Sequence, residues 1–244
     1  MKTALLTVLG AVMVSMLATG ADAPKTPTLD EILNRYASGS GGREALGRLK
    51  TRTMKGSIEV TALGASGQFT LRNKAPNKQA TTFDFGGFGT VREGCDGTVA
   101  WSVMPLQGVS RKKGGELARA LRSTAFPREL RLKETYEKLV VKGPAKVGTA
   151  DAWLVEGSGK EGKPDRLYFD QKSGLLLREE TDVETAAGEM SFQIDFEDFR
   201  DVDGVKVPFL MKVPQPAQIG FKVTFEEVKH NVDLPDSAFA EPKE

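Results

Sequence analysis

The chain has 244 residues but only one cysteine and one histidine. Cys95 alone closes no intramolecular disulfide, and it lies far from any place where a lipid-modified cysteine would stand. Stability must come from apolar burial, which a chain of this length can supply. One histidine and one cysteine far apart in sequence build no zinc site, and the carboxylates lack calcium-loop spacing. No metal and no cofactor is expected. No Gly-x-Ser-x-Gly turn occurs, so a triad of Ser237, His230 and Asp233 or Asp236 has no support. His230 is expected to be a solvated residue at a strand end, and the Cys95 thiol an exposed structural or incidental one. The glycines of Gly86-Gly87-Phe88-Gly89 lack the lysine and strand-to-helix context of a phosphate loop and predict a bend or bulge. Net charge is only +1, so no global field selects nucleic acid as a partner.

Long apolar runs are absent too, except at the start. Lys2, the apolar stretch Ala4 to Ala18 and the small-x-small site Ala21-Asp22-Ala23 have the order of a secretory signal peptide. The run falls short of the ~20 apolar residues of a spanning helix. Residues 1–23 are therefore expected to be cleaved on export, leaving 24–244 as one soluble domain in the periplasm.

Beyond residue 23 the chain turns to short helices and then to a recurrent alternation. Thr28 with Glu31 makes a capping box for a helix to about Tyr36, and a second short helix spans Arg43 to Leu49. From Thr51 onward, segments rich in Val, Thr, Phe and Tyr recur between turn signals at Leu63-Gly64, Ala75-Pro76-Asn77, Asp96-Gly97, Gly148-Thr149, Ser173-Gly174 and Asp203-Gly204. Phe192, Ile194 and Phe196 alternate with Gln193, Asp195 and Glu197; Phe221, Val223 and Phe225 repeat the pattern. About eleven antiparallel strands are expected, with one apolar and one wet face, so that the sheet curves around a core or cavity on one side. The pattern breaks once, at Gly115 to Ser123 and Pro127 to Tyr136, where Leu117 and Leu121 are spaced i, i+4. Eight basic residues lie between Arg111 and Lys133 against two acids, and ten acids between Arg178 and Asp203 against two arginines. The chain is near neutral but polarised along its length.

These turns and strands, in this order, resemble the periplasmic lipoprotein carrier and sorting (Lol-type) family and its lipoprotein-sorting-like relatives. The resemblance runs from Thr28 to Phe239. It is carried by Lys74-Ala75-Pro76-Asn77, by Asp96-Gly97 with Trp101, by Leu167-Tyr168-Phe169-Asp170 to Gly174-Leu175-Leu176, and by Phe196 to Phe209. It implies a mainly β fold with short helices, a curved antiparallel half-barrel covered by helices, with Gly115 to Tyr136 as a lid. Carriers latch the lid with a basic residue directly before Pro-Asn; Ala75 stands there here, leaving Lys74 or Arg72 as substitutes.

On this basis the apolar side chains Phe83, Phe85, Trp101, Met104, Leu117, Leu121, Phe192, Ile194, Phe196, Phe209, Phe221, Val223 and Phe225 are candidates to line a lipid cavity. Arg72, Lys74, Arg119 and Arg122 are candidates for lid and latch. The expected function is a non-enzymatic carrier of lipid or lipoprotein acyl chains, served by an inner-membrane donor or an outer-membrane acceptor, or touching an anionic membrane surface through Arg119, Arg122, Arg128 and Arg131. Periodicity does not separate this from the alternative, an envelope sensor or protein-interaction domain whose half-barrel is filled by its own side chains.

Overall fold

A computed structural model describes residues 25–160, 163–185, 188–214 and 220–243. The expected signal peptide and its cleavage site lie outside them. The Thr28 capping box forms as expected: its hydroxyl accepts from the Glu31 N–H, and the Glu31 carboxylate accepts from the Thr28 N–H, opening helix α1, Leu29–Gly39. Helix α2 spans Gly42–Gly47.

Among the described residues there are thirteen antiparallel strands. In chain order they are β1 Thr51–Val60, β2 Ala65–Lys74, β3 Lys78–Asp84, β4 Thr90–Cys95, β5 Ala100–Met104, β6 Gly108–Arg111, β7 Lys138–Val147, β8 Ala150–Ser158, β9 Asp165–Asp170, β10 Leu176–Thr185, β11 Gly188–Val202, β12 Val205–Val213 and β13 Phe221–His230. The count exceeds the expected eleven; short strands such as β4, β5 and β6 offer only a few alternating residues each. All six turn signals fall in connections between strands.

The strands form one open sheet in the order β6-β5-β4-β3-β2-β1-β13-β12-β11-β10-β9-β8-β7. It is two hairpin meanders joined by β1 against β13. That seam is close: a β-bulge falls at Lys55/Gly56, and a Cβ on Gly56 would lie 1.9 Å from the Thr224 carbonyl oxygen. Only glycine fits there.

Because β6 and β7 occupy opposite edges, the chain between them must cross the sheet. It does so as helix α3, Gly114–Ser123, a 3₁₀ turn at Arg128–Leu130 and the short helix α4, Leu132–Thr135. The second lid helix expected from Pro127 onward is thus broken in two; Pro127 is extended and precedes the 3₁₀ turn. Two apolar clusters lie beneath. Leu46, Met54, Ile58, Phe69, Phe126, Val207 and Phe225 belong to a central one, while Ile32, Tyr36, Leu132, Trp153, Leu167 and Phe169 belong to one under α1 and α4.

The opposite face of β1 to β5 is not simply wet. Trp101 alternates with Ala100 and Ser102, so it faces outward, where its indole N–H donates to the Phe239 carbonyl at 3.0 Å. Phe239 is itself buried. Lys74 donates to the Leu234 carbonyl, and Lys74 and Lys78 clasp Asp236 at 2.8 and 2.9 Å, holding its carboxyl down at about 2. The segment after β13 therefore covers this face.

Replacing Gly56 with Val is expected to destabilise the fold by at least about 3 kcal/mol in urea unfolding, because the obstructing atoms are backbone and cannot rotate away. Gly87→Val, at a turn where a Cβ meets nothing within 4 Å, should stay within about 0.5 kcal/mol of wild type.

Candidate functional site

Between α3 and the concave face lies a cavity of about 600 Å³. Its apolar walls come from alternate residues of β2 to β5 and of β11 to β13, among them Phe69, Leu71, Phe83, Val91, Met104, Phe192, Ile194, Met211, Val213 and Phe221. The central cluster forms its floor, since Phe69, Phe83, Met211 and Phe221 belong to both. Ring pairs tie floor to wall: Phe69 meets Phe83 at 5.0 Å and Phe225 at 5.5 Å, both edge-on. The opposite wall is polar, with Glu93, Ser102, Ser110, Arg111 and Lys112 from β4 to β6 and its continuation, and Glu116, Arg119, Ala120 and Ser123 from α3.

Of the expected lining residues, Phe83, Met104, Phe192, Ile194 and Phe221 stand on the cavity, and so does Arg119. Phe85, Phe209, Val223 and Phe225 lie in or against the central cluster, and Phe196 packs against the other one. Trp101 faces the other side of the sheet. Leu117 and Leu121 fall on the flank of α3, half-buried, because the helix turns Glu116, Arg119, Ala120 and Ser123 toward the cavity at i, i+3, i+4 and i+7. Phe69, Leu71, Val91, Met211 and Val213 were legible only as members of alternating strands. Cys95 also lines the cavity and is buried, not exposed as expected; burial pushes its thiol pKa up.

α3 completely buries no apolar side chain; its one buried residue is Arg122. The Arg122 Nε donates to Asp165 of β9 at 2.9 Å, and the same carboxylate accepts from Tyr136 Oη at 2.9 Å and Thr181 Oγ1 at 2.5 Å. The pair is 9 % and 2 % exposed. Burial works against the Arg122 charge, but the hydrogen bond and charge of Asp165 raise its pKa above the usual value. Farther along, Arg128 donates to Glu179 of β10 at 2.6 Å, which with burial opposing holds it well above its ordinary range. Thus the basic run of the lid meets the acidic strands. Arg131 is likewise engaged, with the Phe126 carbonyl and Glu134.

The hairpin before Pro-Asn has no basic latch, yet it does hold the lid: the Phe126 N–H donates to the Pro76 carbonyl at 2.8 Å. Lys74 is committed to the segment after β13, and Arg72 alternates with the cavity residue Leu71 and so faces outward. Arg52 lies 5.2 Å from the Phe126 ring centroid and donates to His230 Nε2 at 3.1 Å. His230 is therefore not solvated; its side chain is 2 % exposed, with Nδ1 3.3 Å from Asp203. Burial, then the neighbouring Arg52 charge, lower its pKa, with Asp203 opposing. Among the described residues, no group of three or more His, Cys, Asp or Glu is placed to hold a metal ion.

Several solved structures share this architecture. A LolA-superfamily protein from Nitrosomonas europaea matches with a TM-score of 0.59 at 12% identity, over 88% of this chain and 98% of that one. The fold is that of the LolA-like half-barrel. A DUF1329 family protein from Desulfovibrio piger gives 0.58 at 14% identity over 88% and 98%, and a putative outer membrane lipoprotein-sorting protein domain from Vibrio parahaemolyticus 0.53 at 13% over 86% and 93%. No protein-family model and no curated protein matches the chain. The shared LolA-like fold accounts for the open sheet and its helical cover, while the Arg122–Asp165 tether is read from this chain's own geometry.

Arg122→Ala should cost about 3–5 kcal/mol, because it strands Asp165 in the interior. Amide exchange across 114–124 should rise with it, whereas Arg48→Ala, which removes an exposed i, i+4 pair with Glu44, should cost at most about 1 kcal/mol. Stability should also depend on pH through His230. It titrates near 6.5 when unfolded and lower when folded, so the unfolded chain binds the proton first and stability falls as pH drops through 6.5. Thermal melts from pH 8 to 5 should show a shallower decline in His230→Gln than in wild type.

Proposed function

We propose that this chain is a non-enzymatic periplasmic carrier that shields an acyl chain of a lipid or lipoprotein in the cavity under α3. Export by cleavage of residues 1–23, leaving 24–244 as a single domain, is part of the same reading. The observation that carries it is the cavity itself. A filled half-barrel would serve a protein-interaction domain, but here about 600 Å³ lies open above an aromatic floor, within the range of small-molecule sites. Each CH₂ removed from water contributes about 0.8 kcal/mol, so one enclosed chain gains enough to cross an aqueous compartment. His230 supports no hydrolytic reading, since its Nε2 is occupied by Arg52 and its neighbours are Arg52 and Asp203 rather than a serine.

The lid supplies the release step. Over the cavity its hold is the ionic one of Arg122, since α3 fully buries no apolar side chain, while Phe126, Leu132 and Tyr136 anchor its other end in the apolar cores. Exchange with a membrane or an acceptor is assigned to the sheet end where Leu63, Phe88 and Leu106 stand 66 %, 86 % and 107 % exposed. They lie on the β1–β2, β3–β4 and β5–β6 turns, which share one end of the meander and, over 61–64, 85–89 and 105–107, carry no charged residue. With Arg122, Arg128 and Arg131 engaged internally, such contact does not depend on anionic headgroups.

Native mass spectrometry of protein purified without detergent from a periplasmic fraction tests the reading. A lipid or acylated-protein adduct is expected, reduced at least tenfold in Phe221→Asp, which places a carboxylate on the apolar wall. A clean apo mass that takes up no supplied lipid would favour the interaction-domain alternative.

A further inference from the structure

The cavity is two-faced, and one of the cations on its polar wall, unlike its neighbours, has no carboxylate partner among the described residues. Arg111 is held by Glu241 through hydrogen bonds of 2.7 to 3.0 Å, and Lys112 by Glu93 at 3.1 Å. Arg119 is different. It is half-buried and on the cavity, its guanidinium lies 4.5 Å from the Phe192 ring centroid, and no carboxylate among the described residues pairs with it. Glu116 stands one turn earlier on the same helix, exposed and unpaired with it.

Stacking uses the face of a guanidinium and leaves its N–H edge free. That edge suits a planar or tetrahedral oxyanion, which accepts two parallel hydrogen bonds. Here it sits where the aromatic wall meets the polar one. A ligand with a chain against Phe83, Phe192 and Phe221 and an oxyanion at its end would fill both halves and neutralise that open cation. A neutral lipid would leave the guanidinium without an acceptor beneath the lid.

Building on the carrier reading, we infer that the preferred ligand is an anionic amphiphile whose carboxylate or phosphate is clamped by Arg119 inside the cavity. The headgroup would then bridge lid and sheet, so that the loaded state is also the closed one.

Titration calorimetry with palmitate, 1-palmitoyl lysophosphatidate and 1-monopalmitoylglycerol tests this. The last two share chain and glycerol and differ by the phosphate. Wild type is expected to bind lysophosphatidate tenfold to a hundredfold more tightly than monopalmitoylglycerol, the range that hydrogen bonds to charged groups supply. Palmitate against lysophosphatidate tells whether carboxylate or phosphate is favoured. Arg119→Gln should abolish the preference, lowering the ratio of the two affinities to about one, and Arg119→Lys should restore part of it. Equal affinity for the charged and neutral ligands in wild type, or a preference that survives Arg119→Gln, overturns the inference and leaves the carrier reading standing. Failure of all three ligands to bind overturns both.

Discussion

An open sheet whose chain runs outward along one meander and resumes at the far edge has to be bridged by its own polypeptide. That single constraint, β6 at one edge and β7 at the other, organises this molecule. The crossing segment cannot lie on the solvent side without leaving the concave apolar face bare, so it roofs that face. Where α4 and Phe126 descend onto the sheet the space is filled; where α3 passes over β2 to β5 it is not, and the cavity is what remains.

The roof is held unevenly. At its α4 end, Leu132, Tyr136 and Phe126 are buried with the cores. At its α3 end the attachment is made by charged residues, Arg122 in a polar cluster around Asp165 and Arg119 against the Phe192 ring. A buried pair of this kind contributes little net stability compared with apolar packing, but breaking it from one side is costly. On the carrier reading proposed above, an element so fastened would detach while the sheet beneath it stays folded.

Much of this was legible in the sequence. The capping box at Thr28, the six turn signals and the two-residue alternation of β11 and β13 are local features, set by neighbouring residues, and they appear as expected. The cavity was legible only in outline. Alternation assigns Phe192, Phe221 and Trp101 to a face of a strand, but which face is inside depends on sheet curvature and on what covers the outer side. The segment after β13, through Phe239, claims Trp101 for the outer face. The i, i+4 leucines of α3 suggested its inward side, yet electrostatics rotates the helix: Arg122 must reach Asp165, forty-three residues away in the chain, and no local pattern encodes that distance. His230 is likewise buried because β13 pairs with β1, bringing it beside Arg52, which in turn lies against Phe126.

The central claim is that the space under α3 is reached by opening the lid and filled by a lipid chain, and the sole cysteine reports on it, since Cys95 is buried on the cavity wall. The measurement is its rate of reaction with a thiol reagent, with and without saturating palmitate or lysophosphatidate. The account expects slow reaction in the free protein, faster reaction in Arg122→Ala, and strong suppression of both by the lipid. A rate that saturating lipid leaves unchanged would contradict it.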